Sequence, residues 1–482
     1  MRTGLKKREK MMSEQTLGWT YEKERMSGAE TAVLAFCLGA GLWYAFGHTF
    51  FAEALSLPGI GLTVSWAGIT AAFLAANRRR LRQDREGILL TGLSFLLALC
   101  GGLYSVNALR LMNLPLIALT ASAGLGCLTG RWPESPFSAQ GMKTVFSTFL
   151  PDLFRSWGRP FRLFRGQKYQ WQLSDGLVGL LISLPVLIVI LVLLVSADRA
   201  FSDFLASGAD RALHFDGSFF LRLFLGLAVG LGCFSLLMSA DHPEKPNQAS
   251  GMEVPAAGVM PLLTCLCALY GLFIAIRLRT LGGAEDGSLV EYARSGFFQL
   301  TAAALITLTV ITLVIRWTEH KAVRILSGLL CLLTEGLLVL AAASMLRYIQ
   351  VYGLSLLRVL TLWGMLMIFL SILAVFLRCL KPGFRSWKKL AVLALVSWTA
   401  LNLSCPARWI AGFNVDRFNR FPAEMTLDHE YLVKLSPAVL PALDGIADKA
   451  VREETLTFAH EYLKENRPSA YDWSFDWMCF NE

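Results

Sequence analysis

Runs of about 20 mostly apolar residues recur along this chain, and no other feature limits its fold as strongly. Each helical residue adds 1.5 Å and the hydrocarbon of a bilayer is roughly 30 Å thick, so a run of that length reads as a membrane-crossing helix. Eleven spans are expected, at 29–51, 57–76, 87–107, 111–130, 175–196, 219–239, 257–276, 296–315, 322–343, 357–377 and 388–405. Pro115, Pro185 and Pro261 fall inside spans, where proline kinks a membrane helix without excluding it. Composition agrees, since 55% of the 482 residues are hydrophobic and 17% are charged. A soluble domain carries about 25% charge, so the apolar excess needs a lipid solvent. The expected fold class is all-α, a polytopic transmembrane helix bundle; a soluble enzyme, a disordered chain and a secreted disulfide scaffold are excluded.

Lysine and arginine orient such a bundle, because cytoplasmic loops retain them. With the N-terminus inside, the cytoplasmic segments hold 28 of the 45 basic residues, the outside loops nine and the segment after 405 eight. An odd number of spans then puts the tail outside. The weakest loop in that count is 240–255, where Lys245 stands alone. The first apolar run is too long for a signal peptide and lacks a small-residue cleavage site, so a retained anchor is expected. The resulting division is a basic cytoplasmic N-terminus at 1–28, spans at 29–130, a cytoplasmic amphipathic segment at 131–174, spans at 175–405 and a helical extracytoplasmic tail at 406–482. The net +9 sits in the inside loops, so topology explains it and nucleic acid is not an expected partner.

Three segments are not spans. Residues 142–165 place Met142, Val145, Phe146, Phe149, Leu150, Leu153, Phe154 and Trp157 at helical spacing, with Arg155, Arg159, Arg162 and Arg165 beside or after them. Such a stripe suits a helix lying in the cytoplasmic interface and equally one packed beneath the bundle. Residues 197–216 carry Asp198, Asp203, Asp210 and Asp216, too widely spread for a calcium loop. The tail carries thirteen acidic and eight basic residues. Ser436–Pro437 reads as a helix start, a second helix is expected from about Asp448 to Glu465, and the closing YDWSFDWMCFNE offers aromatics to the membrane interface or the bundle.

Four pieces resemble the bacterial membrane proteins grouped as the domain of unknown function 4173 family: SADRAFSDFL at 196–205, EYARSGFFQL at 291–300, RYIQVYGLSLLRV at 347–359, and NVDRFNR with LDHEYLVKLSPAVLPAL at 414–420 and 427–443. The resemblance implies a polytopic membrane protein with no established activity. The last residues depart from the basic ending of similar chains. By the charge count all four pieces fall on the outside face. Glu291, Arg294, Tyr352, Arg358, Asn414, Arg417 and Asn419 are therefore expected to form either a binding site or the joint that docks the tail on the bundle. Arginine suits both, because its planar fork holds a carboxylate or a phosphate.

Glu335 is the one carboxylate deep inside a span. A charge there costs roughly 2.5–3.5 kcal/mol, so it should face protein or water. Either it couples a proton or cation to transport, or it is a neutral acid bonded to a neighbouring helix. Gly328, Cys331, Leu332, Val339 and Ala342 share its side. Gly226/Gly230 and Gly126/Gly130 have the spacing of helix-packing pairs. No phosphate loop, HExxH, GxSxG or DxD motif occurs and the histidines are single, so no catalytic residue, metal site or cofactor is assigned. The leading expectation is a non-enzymatic inner-membrane protein that binds a ligand, or another membrane or envelope protein, at its outer face. Its rivals are a transporter using Glu335 and a membrane enzyme gripping a lipid-linked phosphate with Arg294, Arg358 and Arg417.

Overall fold

The computed structural model describes residues 27–47, 57–132, 134–157, 159–160, 217–239, 256–281, 286–318, 320–381, 384, 387–422 and 426–480, and every regular element among them is helical. The helices are α1 Gly28–Gly47, α2 Ile60–Asn77, α3 Arg85–Leu103, α4 Asn107–Thr129, α5 Ala139–Arg155, α6 Gly217–Ser239, α7 Ala256–Leu281, α8 Asp286–Trp317, α9 Lys321–Tyr352, α10 Leu356–Leu380, α11 Trp387–Leu403, α12 Pro406–Arg420, α13 His429–Leu435, α14 Leu440–Leu443 and α15 Lys449–Glu465. Eight helices among the described residues are long and apolar enough to cross a membrane, or nine if the bent pair α11–α12 is one span. The chain is an all-α polytopic membrane protein. The expected span at 175–196 and the acidic segment 197–216 lie outside the described residues.

Local chemistry sets the helix starts. Asp84, Ser138, Ser355 and Asp448 accept hydrogen bonds from backbone N–H groups of α3, α5, α10 and α15, filling donors that a first helical turn leaves open. Ser436 accepts from Ala438 N ahead of a short 3-10 turn at Pro437–Val439. Between α11 and α12 the axis bends by 63°, where Cys405 takes a left-handed φ of 51° just before Pro406, which cannot continue the preceding ladder.

The long helices divide into two groups. In the first, α1 packs on α2 and α6, α2 on α3, and α3 on α4; in the second, α7, α8 and α10 surround α9. Helix α11 stands between them, touching α3 and α10. Asn113 of α4 donates to Asn402, accepts from the Trp398 indole, and Asn402 donates to the Trp398 carbonyl. On the other side Trp363 of α10 donates to Ser397 and lies edge-on to Trp398, 5.0 Å between centroids. Such a satisfied amide set joins helices without leaving a polar group bare in hydrocarbon.

The two glycine pairs have different uses. Gly226 and Gly230 of α6 meet Gly41 of α1 so closely that a Cβ on any of the three would overlap the facing backbone, the small-residue crossing their spacing suggested. Gly126 and Gly130 do not pack one helix on another. Gly130, at φ 75°, closes α4 in the left-handed conformation, which glycine adopts without steric penalty, and Gly126 leaves room for the Trp132 indole.

Both ends of the bundle are well marked. Arg78, Arg79, Arg80, Arg82, Arg85, Arg131, Arg324, Arg378, Lys388 and Lys389 lie at one end, here the basic end; the segment after 405 gathers at the other, the tail end. Successive helices of these two groups alternate in direction, except that α4 and α6 both run towards the basic end. Helix α5 lies at the basic end with α4 and α6. Its apolar stripe is divided: Val145 is buried, as are Asp152 and Ser156, whereas Met142, Phe146, Leu150 and Phe154 are exposed.

Candidate functional site

The turn between α9 and α10, at the tail end, is where the family-like pieces 347–359 and 414–420 meet. Gly353 has a φ of 76°, which leaves the backbone groups of Leu354 facing α12. Asn414 takes both, its Oδ1 accepting from Leu354 N at 2.7 Å and its Nδ2 donating to Leu354 O at 2.8 Å. The neighbouring Leu356 N–H donates to the Tyr431 hydroxyl at 2.8 Å, and burial pushes that phenol's pKa up.

Arg358 starts the next helix turn and folds back over the loop. Its Nη1 donates to the carbonyls of Tyr352 and Gly353, and its guanidinium lies 4.5 Å from the centre of the Tyr348 ring, which in turn contacts Tyr352. These interactions hold the turn. Tyr352 is itself more than half exposed.

The other expected members are distributed differently. Asn419 repeats the amide clamp elsewhere, donating to Gly445 O and accepting from Ala447 N, each at 2.8 Å. Arg417 is partly buried and its Nε has no hydrogen-bond partner among the described residues. Glu291 and Arg294 lie on α8, where the helix path is described and the side chains are not. The structure thus brings Tyr352, Arg358 and Asn414 to one turn and sets Asn419 at a second joint within the tail.

A third joint involves residues that belong to none of the family-like motifs. Tyr471 O accepts from Gly59 N and Gly61 N, and Trp473 O accepts from Ile60 N at 2.7 Å. Side chains on Gly59 or Gly61 would overlap this part of the tail: the first would strike the Asp472 and Trp473 carbonyls, the second the Tyr471 ring. Arg110, buried at the start of α4, donates to the carbonyls of Leu57, Gly101, Tyr104 and Asp472. Asp476, also buried, accepts from the Ser105 N–H and hydroxyl at 2.7 Å, from Ser436 and from Ser474. Burial pushes the Tyr471 phenol's pKa up as well. The only sequence signal was an arginine at a span end and two aspartates in an aromatic run, and neither names a partner.

Glu335 sits at the margin of the packed face of α9. Cys331, Thr334 and Leu338 beside it are buried, while Leu332 and Val339 are more than half exposed. Gly328, one of the small residues on its side, faces α10, where a Cβ in its place would just touch Phe376 and Cys379. Both Glu335 carboxylate oxygens are buried and have no hydrogen-bond partner among the described residues. No group of three or more His, Cys, Asp or Glu side chains among the described residues could hold a metal ion.

Sequence comparison places most of this architecture in one family. No curated protein and no solved structure matches the chain. A family model matches residues 67–446, from within α2 to just past α14, so the Tyr471–Asp476 joint and its glycine donors lie beyond the match. The matched family is not the 4173 group that the four motifs resemble, but it too is of unknown function. On that match the chain belongs to the family described as Domain of unknown function (DUF4153).

Proposed function

We propose that this integral membrane protein exposes its tail end to the extracytoplasmic side and binds a partner or ligand there. The observation that supports the reading most directly is the way the tail is held. Asn414 ties it to the α9–α10 turn of one helix group, while Arg110 and Asp476 tie it to the loops of the other. A segment anchored to both groups is a platform, and basic residues collect at the opposite end, as cytoplasmic loops do. On the platform, His460, Glu461, Lys464, Arg467 and Phe480 line a groove of about 550 Å³, which offers both signs of charge beside an aromatic ring. Specificity in such grooves comes from a few polar groups on an apolar floor.

Cys479 makes the orientation testable in the natural protein. Among the ten cysteines, Cys265 and Cys479 are the exposed ones of those whose exposure is described, and Cys265 lies within α7, where lipid excludes a charged reagent. A membrane-impermeant maleimide should label intact cells, and Cys479→Ser should remove the signal. Labelling only after permeabilisation would put the platform inside and end this reading.

A second reading is favoured by one observation, the two buried oxygens of Glu335 inside α9, which find no partner among the described residues. It makes the protein a proton- or cation-coupled transporter with Glu335 as the coupling acid, since intramembrane carboxylates mark ion pathways. Uptake assays on proteoliposomes under an imposed pH gradient test it: Glu335→Gln should abolish gradient-driven flux, and equal flux in the variant would remove the reading.

A further inference from the structure

At the basic end, helix α5 combines a fixed side with an uncovered one. Its fixed side is polar and buried. Asp152 pairs with Arg131 at 2.5 Å, both 1% exposed, and the Asp152 carbonyl accepts from Ser235 of α6. Ser156 N donates to that same Ser235 hydroxyl at 2.8 Å. These bonds set the rotation of α5 about its axis. The opposite side therefore has to point outward, and it carries Met142, Phe146, Leu150 and Phe154 at intervals of four, between 39% and 66% exposed. An apolar row of that kind in water marks an interaction surface.

The loop joining α2 to α3 lies beside the base of α5. Arg82 N donates to Leu128 O at 2.8 Å, and the Arg82 guanidinium lies over Gly130, where the chain leaves α4 for α5. Arg78, Arg79, Arg82 and Arg85 are exposed, and none of the four forms an ion pair among the described residues. Lys143, exposed one turn before Phe146, extends the positive rim onto α5 itself. Apolar side chains flanked by uncompensated cations match a membrane surface of acidic lipids, whose acyl chains take the row and whose headgroups take the arginines. A water-soluble protein partner would need carboxylates to answer this rim, whereas the bilayer already adjoins it.

We propose that α5 and the Arg78–Arg85 loop form an acidic-phospholipid site, with α5 lying in the plane of the leaflet at the basic end and Phe146, Leu150 and Phe154 inserted among the lipids. The inference is independent of the orientation of the tail, because it concerns the other end of the bundle.

Two measurements on the full-length protein test it. The first places a photoreactive phenylalanine analogue at 146, 150 or 145 in nanodiscs of phosphatidylcholine with phosphatidylglycerol. Positions 146 and 150 should yield phospholipid adducts and the buried position 145 none; adducts to protein at 146 would assign the row to a partner chain and overturn the proposal. The second compares phosphatidylglycerol retention by the wild type with Arg78→Ala/Arg79→Ala/Arg82→Ala and with the corresponding triple lysine variant. At roughly 1 kcal/mol for each charge near an acidic surface, the alanine variant should lose about a hundredfold in preference for acidic over zwitterionic lipid, and the lysine variant should keep it. Equal preference in all three proteins would overturn the headgroup assignment, and loss in the lysine variant would show a role in folding rather than in lipid binding.

Discussion

The two ends of this bundle are joined in different ways. At the basic end, elements meet through opposite charges: Arg131 with Asp152, Arg159 with Glu30, and Lys388 with Glu86. At the tail end, side chains grip backbone instead. Asn414 holds Leu354, Asn419 holds Gly445 and Ala447, and Arg110 holds four carbonyls drawn from separate stretches of chain. A charge pair needs two particular residues. A grip on backbone needs one particular residue and a correctly shaped loop, and whatever side chain the gripped position carries is free to vary. The tail-end joint is therefore concentrated in a few positions, and most of its contact surface is chemically unremarkable.

The largest expected effect separates the two designs. Asp152→Ala leaves Arg131 buried without its counter-charge and should cost about 3–5 kcal/mol; replacing both residues by leucine should recover much of it, as thermal unfolding in detergent would show. Asp476→Ala removes the acceptor shared by Ser105, Ser436 and Ser474 and should cost about 2–3 kcal/mol. Its sharper signature is local, namely faster proteolysis after residue 466 with the spans still intact. If clipping of the tail were unchanged, the tail end would not depend on this carboxylate. Asn414→Ala should cost about 1–2 kcal/mol, and Asn414→Asp should do no better than alanine, because Leu354 O still loses its donor; hydrogen exchange at Leu354 reads both.

The smallest effect is graded with pH. Burial raises the pKa of the Tyr431 and Tyr471 phenols, so the folded state keeps both protons at a pH where the unfolded chain begins to lose them. Their contribution is complete below about pH 10, the unfolded value, and is lost as pH climbs towards the folded values. Tail proteolysis should accelerate above about pH 10 in the wild type and less so in Tyr431→Phe, in which the ionisable oxygen is gone.

Much of the fold was legible because membrane insertion is written in consecutive residues. Span positions, the Ser436 and Asp448 starts and the Gly226/Gly230 crossing all depend on neighbours within a few positions. The same spacing in Gly126/Gly130 misled, since a left-handed helix end and a helix crossing both ask for a missing side chain, and the pattern does not say which. The joint between Arg110 and the tail was illegible for another reason. Arg110 and Asp472 are 362 positions apart, and the partner atom is a carbonyl that every residue possesses. Of the candidate site, Asn414, Arg358 and Tyr352 stand at one turn, but their targets are backbone atoms that no motif encodes.

That separation sets a timetable for biogenesis. At roughly 5–20 residues per second, Arg110 is made about 20–70 s before the Asp472 carbonyl it will hold. During that interval the N–H groups of Gly59, Ile60 and Gly61 have no Tyr471 or Trp473 carbonyl to take them, so this joint is among the last contacts of the bundle to form.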